Sequence, residues 1–222
     1  VIQYGIPIAR IEMLNADQMG ISINYSKLKN FEAVPTLFFE FHGSEISNNE
    51  NIKIVEELSK DNKGSSFKWA KDLEERNKLW QARWDVYYSV KALHNNGRVY
   101  STDVCVPISR ITECVKFAEE QAKKFGVRAP MVGHMGDGNF HVVLPYDPTK
   151  KEMYKQLRAF NDTLIRKALE LNGTITGEHG VGLHKKEYLL EQHPDNIPVM
   201  KSIKRTLDPN NIMNPGKIFD LN

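Results

Sequence analysis

The sequence predicts an α+β domain, in which an antiparallel sheet carries helices on one face. Short apolar runs typical of strands alternate with longer stretches whose apolar residues recur every three or four positions. One stretch contains Asp137-Gly138, a strong short-range signal of a β-hairpin. The chain has 222 residues, of which 41% are hydrophobic, so it is long and apolar enough to bury a core.

The first half of the chain is expected to mix strands with helices. Apolar runs predict strands over 9–14 and 35–43, and the second, rich in phenylalanine, is typical of a central strand. An amphipathic helix over 48–60 and a short strand over 65–70 follow. Leucine, tryptophan and tyrosine at helical spacing then predict a helical region over 71–93.

The second half is expected to begin with a strand over 99–107 that stops at a proline. A helix follows, with Ser109 as its N-cap and Gly126 as its C-terminal cap. A hairpin over 129–148 comes next. The remaining predicted elements are a helix over 149–171, a strand over 174–176, helices over 183–192 and 195–207, and a turn-rich tail.

Composition and charge exclude several classes of protein. The formal net charge is +2 and the lysine pairs are scattered, so we expect no nucleic-acid partner. Cys105 and Cys114 match no metal or redox pattern and are expected to be reduced and buried. No apolar run reaches the roughly 18 residues of a transmembrane helix. The start of the chain lacks a signal peptide and a Met, so we expect a segment of a longer protein.

The stretch "GHMGDGNFH" places two histidines around a turn. If Asp137-Gly138 forms a two-residue turn, His134 lies directly opposite His141, with Cβ atoms roughly 4.5–5.5 Å apart on one face. Two imidazoles at that spacing suit one divalent ion, completed by a carboxylate. The alternative is a cross-strand pair that merely packs in the sheet.

The candidate third ligand lies in "TGEHGVG", a loop punctuated by glycines. Glu178 is expected to bind the ion, and the neighbouring His179 to face a substrate as a base. The alternative for Glu178 is an acid at the N-terminus of the helix that follows. We expect surface or packing roles for the remaining histidines, which are His42, His94, His184 and His193.

Arg83 shares a predicted helix face with Trp80 and Tyr87, at spacings of three and four residues. Taken alone, an arginine on a partly aromatic face is typical of a surface residue that buries its aliphatic stem. Beside a metal site that activates a hydroxyl, it becomes a candidate for binding the carboxylate of an acid substrate.

Three motifs together resemble a known family: "GHMGDGNFH", "GTITGEHGVGLHKKEYL" and "LDPNNIMNPGKIF". The likeness extends through "PIARIEMLNAD", "PTLFFEFHG", "LWQAR" and "YSTDVCVP", and so covers almost the whole chain. The chain resembles the C-terminal, substrate-binding cap of FAD-linked 2-hydroxy acid dehydrogenases of the vanillyl-alcohol-oxidase type. Within that family it is most similar to the cytochrome-linked D-lactate branch.

The resemblance implies a ferredoxin-like α+β cap that closes over an FAD held mainly by an N-terminal domain outside this chain. It implies the cap over 1–205 and a tail over 206–222 that returns to the flavin domain, with the helical C-terminal segment packed against that domain. The implied site residues are the metal ligands His134, His141 and Glu178, the base His179, the carboxylate-binding Arg83 and the flavin-side Asn214. Zinc fits the ligand set, and manganese is the alternative. This chain alone is expected to be inactive.

The resemblance also implies the substrate class, a small D-2-hydroxy acid. Hydroxyglutarate-type relatives tend to carry a lysine where Ser101 stands and an asparagine where Val143 stands. Both differences remove groups for a second carboxylate, which favours D-lactate. The family implies cytochrome c or an electron-transfer flavoprotein as electron acceptor and a mitochondrial location.

Two other classes stay open on the residues alone. A metal-dependent hydrolase would use the same two histidines and glutamate with activated water, although the sequence contains no HExxH. A non-catalytic interaction or regulatory module would use them only to stabilise a loop.

Overall fold

The computed structural model describes residues 1–70, 72–93 and 97–221. Within them, a six-stranded antiparallel sheet has the order β2-β1-β5-β6-β3, and β4 also pairs with β6. The strands are β1 (Arg10–Leu14), β2 (Thr36–Glu40), β3 (Arg98–Ser101), β4 (Val104–Cys105), β5 (Met131–His134) and β6 (Asn139–Tyr146).

Eight α-helices surround the sheet in the described residues. They are α1 (Ala16–Ser26), α2 (Glu45–Asp61), α3 (Leu73–Trp84), α4 (Val86–Lys91), α5 (Ile111–Phe125), α6 (Lys151–Glu170), α7 (Lys186–Gln192) and α8 (Ile197–Leu207). The side chains of Asn15, Ser44 and Asp72 accept backbone N–H groups at the starts of α1, α2 and α3, so local capping sets these helix starts. None of the described helices is both long and apolar enough to span a bilayer.

Helices pack on both faces of the sheet. On one face, strand residues including Phe140 pack against α5 and α6. On the other face, residues including Val132 and Val143 pack against α1, α3 and α4. The α+β class and the antiparallel sheet are confirmed, but the expectation of helices on one face is wrong. Strand β6 is buried at seven consecutive positions, 139–145, so both of its faces need a cover.

Several predicted elements differ in detail. Residues 65–70 form no strand, and the helical region predicted over 71–93 divides at Asp85 into α3 and α4. Its first residue, 71, lies outside the described residues. The predicted strand 99–107 is two short strands, and 174–176 contributes a single bridge between Cys105 and Thr174. Gly126 ends α5 with a φ of 63°, as predicted, whereas Ser109 lies in a 3-10 turn before the helix.

Candidate metal and substrate site

The hairpin has a different register from the predicted one. His134 pairs with Asn139, and His141 pairs with Val132, so the loop has four residues, not two. Gly138 explains the wider loop: its φ is 81°, its carbonyl accepts the N–H of Val106 at 2.9 Å, and a Cβ there would lie 2.0 Å from Val106 O. The shift is two residues, an even number, so both imidazoles still lie on one face as diagonal neighbours.

The two imidazoles are oriented through their Nδ1 atoms. Nδ1 of His141 lies 3.0 Å from the carbonyl of Thr102, and Nδ1 of His134 lies 2.8 Å from Glu12 Oε1. A carbonyl only accepts, and the pKa of Glu12 is lowered overall by His134 and Arg83 although burial opposes this, so that group also accepts. Each Nδ1 therefore carries the proton, which leaves the Nε2 atom of each ring with its lone pair in the neutral state.

Glu178 faces both Nε2 atoms. Its Oε1 lies 2.9 Å from Nε2 of His141 and 3.5 Å from Nε2 of His134. Nε2 of His141 is buried and has no hydrogen-bond partner within the described residues. A lone pair directed at a carboxylate oxygen is unfavourable unless a positive charge lies between them. The ligand atoms of the three residues lie within 4.8 Å of one another, so this set fits a divalent cation.

The histidine pKa values have different causes. The hydrogen bond to Glu12 raises the pKa of His134, and Coulomb attraction to the same carboxylate adds to the rise. Burial lowers the pKa of His141. Because a metal ligates only the neutral ring, burial prepares His141 for ligation. At His134, the Glu12 carboxylate that stabilises the protonated ring through Nδ1 would also stabilise a cation bound at Nε2.

His179 lies against the same group. Its ring stacks on that of His141 with centroids 4.6 Å apart and planes at 14°, and its Nε2 lies 3.8 Å from Glu178 Oε1. The side chain is 44% exposed, so a small molecule at the candidate metal site would reach it from solvent.

Arg83 is held by an internal carboxylate. Its Nε and Nη2 donate to Glu12 Oε2 at 2.9 and 2.7 Å, and the side chain is only 15% exposed. Glu12 thus contacts Arg83 with one oxygen and His134 with the other. Arg83 does not share one helix face with both Trp80 and Tyr87, as the sequence predicted. Trp80 is buried under Arg10, whereas Tyr87 lies in the next helix and is half exposed.

A second group, Asp103, His141 and His179, is also close enough for a metal. The Asp103 oxygens, however, already accept backbone N–H groups of three consecutive residues, 177–179, and the Nζ–H of Lys185. Burial opposes ionisation of Asp103, but the Thr176 hydroxyl, the Lys185 charge, the Asn139 amide and the His179 N–H together lower its pKa. A carboxylate so fully engaged is poorly suited to bind a cation as well.

Other predicted residues lie apart from the candidate metal ligands. Asn214 lies in the tail after α8, where its side-chain oxygen accepts from Lys217 Nζ at 3.2 Å. His42 pairs with Glu40, and His184 is exposed. His94 lies outside the described residues.

Sequence reasoning missed the two acids Glu12 and Asp103, which are 6% and 1% exposed. Each has a signal in the sequence. Glu12 is an acid within the apolar strand "RIEML", and Asp103 is an acid within "STDVCVP", between two strands. A buried acid requires hydrogen-bond or charge partners, so both positions predict a polar cluster.

Comparison with known proteins decides the family. The sequence model described as "FAD linked oxidases, C-terminal domain" matches residues 1–218. The chain belongs to this family. This chain is 43% identical over 222 residues to "Probable D-lactate dehydrogenase, mitochondrial" of Danio rerio, and the match covers 100% of this chain and 44% of that protein. It is 37% identical to "D-lactate dehydrogenase [cytochrome], mitochondrial" of Arabidopsis thaliana, covering 97% and 38%.

Solved structures support the same fold. The structure of this chain matches that of p-cresol methylhydroxylase with a TM-score of 0.69 and 14% identity, over 96% of this chain and 47% of that one. Such a likeness concerns the fold alone. The chain spans less than half the length of the relatives it matches.

Proposed function

We propose that this domain is the substrate- and metal-binding part of a flavoprotein that oxidises a small D-2-hydroxy acid to the 2-oxo acid. D-Lactate is the favoured substrate, as the names of the relatives from Danio rerio and Arabidopsis thaliana suggest. The observation that carries the proposal is the pair of Nε2 atoms facing one oxygen of Glu178, beside an arginine.

The proposed metal ligands are His134, His141 and Glu178, with zinc or manganese as the ion. A bound divalent metal would polarise the hydroxyl oxygen of the substrate. FAD, held mainly by a part of the protein outside this chain, would accept the hydride. Asn214 is proposed to contact the flavin side, since it lies in the tail that follows α8.

Two further residues would act on the substrate. Nε2 of His179 would take the hydroxyl proton as the carbonyl forms, because its ring lies against the proposed ligands. Arg83 would bind the substrate carboxylate. Its guanidinium has five N–H groups and Glu12 accepts two of them, so a substrate carboxylate can take others. Together they would orient the carbon–hydrogen bond that breaks.

The pairing of β3 with β6 supports a small substrate. Ser101 and Val143 are direct cross-strand partners, and Val143 lies two residues from His141 on the same face. The side chains at this position are a small hydroxyl and a buried aliphatic group. They offer no positive charge for a second carboxylate, which favours D-lactate over a hydroxyglutarate.

We also propose a mitochondrial location and a cytochrome as electron acceptor, as the relatives' names suggest. Cytochrome c and, as the family resemblance implies, an electron-transfer flavoprotein are the candidate acceptors. The cap would span 1–205, and the tail 206–222 would return to the flavin domain. Helix α8 exposes Val199, Ile203 and Leu207, which supports a packing role for this segment. The isolated chain would have no dehydrogenase activity.

A substrate panel tests the proposal. The full-length protein is assayed with D-lactate, glycolate and D-2-hydroxyglutarate and an artificial electron acceptor, with and without a chelator. We expect the highest kcat/KM with D-lactate and a loss of activity after metal removal. Activity that survives complete metal removal, or ester hydrolysis without flavin reduction, would overturn it.

A further inference from the structure

We infer that Asp103 is a positioning residue that holds Glu178 and His179 against the two hairpin histidines. The inference rests on the proposed function, because it assigns a role to the loop that supplies the proposed ligand and base. Asp103 lies in the connection between β3 and β4, and its side chain is 1% exposed.

The Asp103 carboxylate binds the backbone of the loop. Both oxygens accept the N–H of Gly177 at 3.0 Å, Oδ1 accepts that of Glu178 at 3.2 Å, and Oδ2 accepts that of His179 at 3.1 Å. The hydroxyl of Thr176 donates to Oδ2 as well. One side chain therefore fixes four consecutive residues that belong to no helix or strand.

The loop side chains that bear on the proposed site are largely exposed. The side chains of Glu178 and His179 are 52% and 44% exposed, so packing alone does not define their positions. Gly177 lets the loop backbone lie close to Asn139 and Asp103. A Cβ at this position would lie 2.0 Å from Nδ2 of Asn139 and 3.1 Å from Oδ1 of Asp103. The backbone bonds to Asp103 thus restrain where Glu178 Oε1 lies relative to the two histidines.

The same segment also binds the hairpin. Nδ2 of Asn139, the strand partner of His134, donates to Asp103 Oδ1 at 2.9 Å. The carbonyl of Thr102, one residue earlier, lies 3.0 Å from Nδ1 of His141. Residues 102–103 therefore connect the two halves of the proposed ligand set.

Lys185 balances the buried charge. Its Nζ donates to Asp103 Oδ2 at 3.2 Å, to Asp103 O at 2.8 Å and to Ile175 O at 2.7 Å. It ties the start of the loop to the same connection, so that Asp103 remains ionised and keeps accepting from the loop.

The test compares Asp103→Asn and Gly177→Ala with Asp208→Asn in the full-length protein. Asp208 is a matched control, since it is 4% exposed and accepts the N–H groups of Ile212 and Met213 and the ammonium of Lys204, in the tail. Zn²⁺ and Mn²⁺ titrations measure the dissociation constant. We expect it to rise about 10–100-fold in the first two variants and to stay within about twofold in the control.

Hydrogen exchange of the amides at 177–179 tests the same inference without metal. These amides should exchange slowly in the wild-type protein and fast in Asp103→Asn. Unchanged metal affinity together with slow amides in Asp103→Asn would overturn the inference. A wild-type protein that binds no metal would overturn the proposed function instead, and amide exchange would then decide the role of Asp103.

Discussion

Nε2 of His141 lies 2.9 Å from Oε1 of Glu178, and neither atom carries a hydrogen that could join them in the neutral-ring state. The first comes from the hairpin and the second from a loop 37 positions further along the chain, so the contact is a product of the fold. A divalent cation would turn this unfavourable approach of two electron-pair donors into a favourable one.

Glu12 should tune the metal site through His134. Glu12→Gln removes the charge that orients the His134 ring, so we expect metal affinity to fall roughly 10–100-fold. Glu40→Gln is the matched control, because Glu40 is equally buried on the neighbouring strand but pairs with Arg10 and Arg76. Metal titration of both variants checks this, and equal losses in the two would contradict it.

Arg83→Lys should weaken the handling of an acid substrate. Lysine keeps the charge but loses the forked geometry, so Glu12 and a substrate would compete for one ammonium. A charge-assisted hydrogen bond is worth roughly 1.5–3 kcal/mol, which predicts at least about a tenfold loss of kcat/KM. Steady-state kinetics with D-lactate measures it. Wild-type kinetics would exclude Arg83 from substrate binding.

Gly138→Ala should destabilise the hairpin. The left-handed backbone alone costs about 1–2 kcal/mol with a side chain, and the added Cβ would also clash with the carbonyl of Val106. Gly136→Ala in the same loop is the control, because a Cβ there meets nothing within 4 Å. Thermal denaturation should show a lower Tm only for the first variant, and a similar Tm for both would refute the described loop.

Cys114 should make stability depend on pH in alkaline solution. Burial raises the pKa of its thiol from 9.0 to about 12. The unfolded thiol ionises first, so its contribution is complete below pH 9 and is lost as the pH rises towards 12. At pH 10 the loss is on the order of 1 kcal/mol. Denaturation at pH 8 and 10 should show a smaller fall for Cys114→Ala than for the wild-type protein; parallel falls would contradict the prediction.

The sequence predicted most elements because their signals are local. Apolar runs located β1 and β2, and the glycine at 126 located the end of α5. The predicted hairpin register was wrong because a contact between Gly138 and Val106, which are distant in sequence, widens the loop. The two histidines nonetheless share a face, since a shift of two residues preserves the alternation of a strand.

The supporting acids of the site could not be placed from sequence alone. Glu12 lies 122 positions from His134 and 71 from Arg83, and no local pattern reports such contacts. The same holds for Asp103 and the loop more than 70 positions away. The only sequence signal at Glu12 and Asp103 is an acid within an apolar stretch, and that signal does not identify the residues each acid contacts.

The most direct test of the central claim is the metal content of the full-length protein and of its His141→Ala and Glu178→Gln variants, measured by elemental analysis after purification without added metal. The account predicts about one zinc or manganese per wild-type chain, little in either variant, and a parallel loss of D-lactate oxidation. A metal-free wild-type protein that oxidises D-lactate at full rate, or variants that retain full metal content, would contradict it.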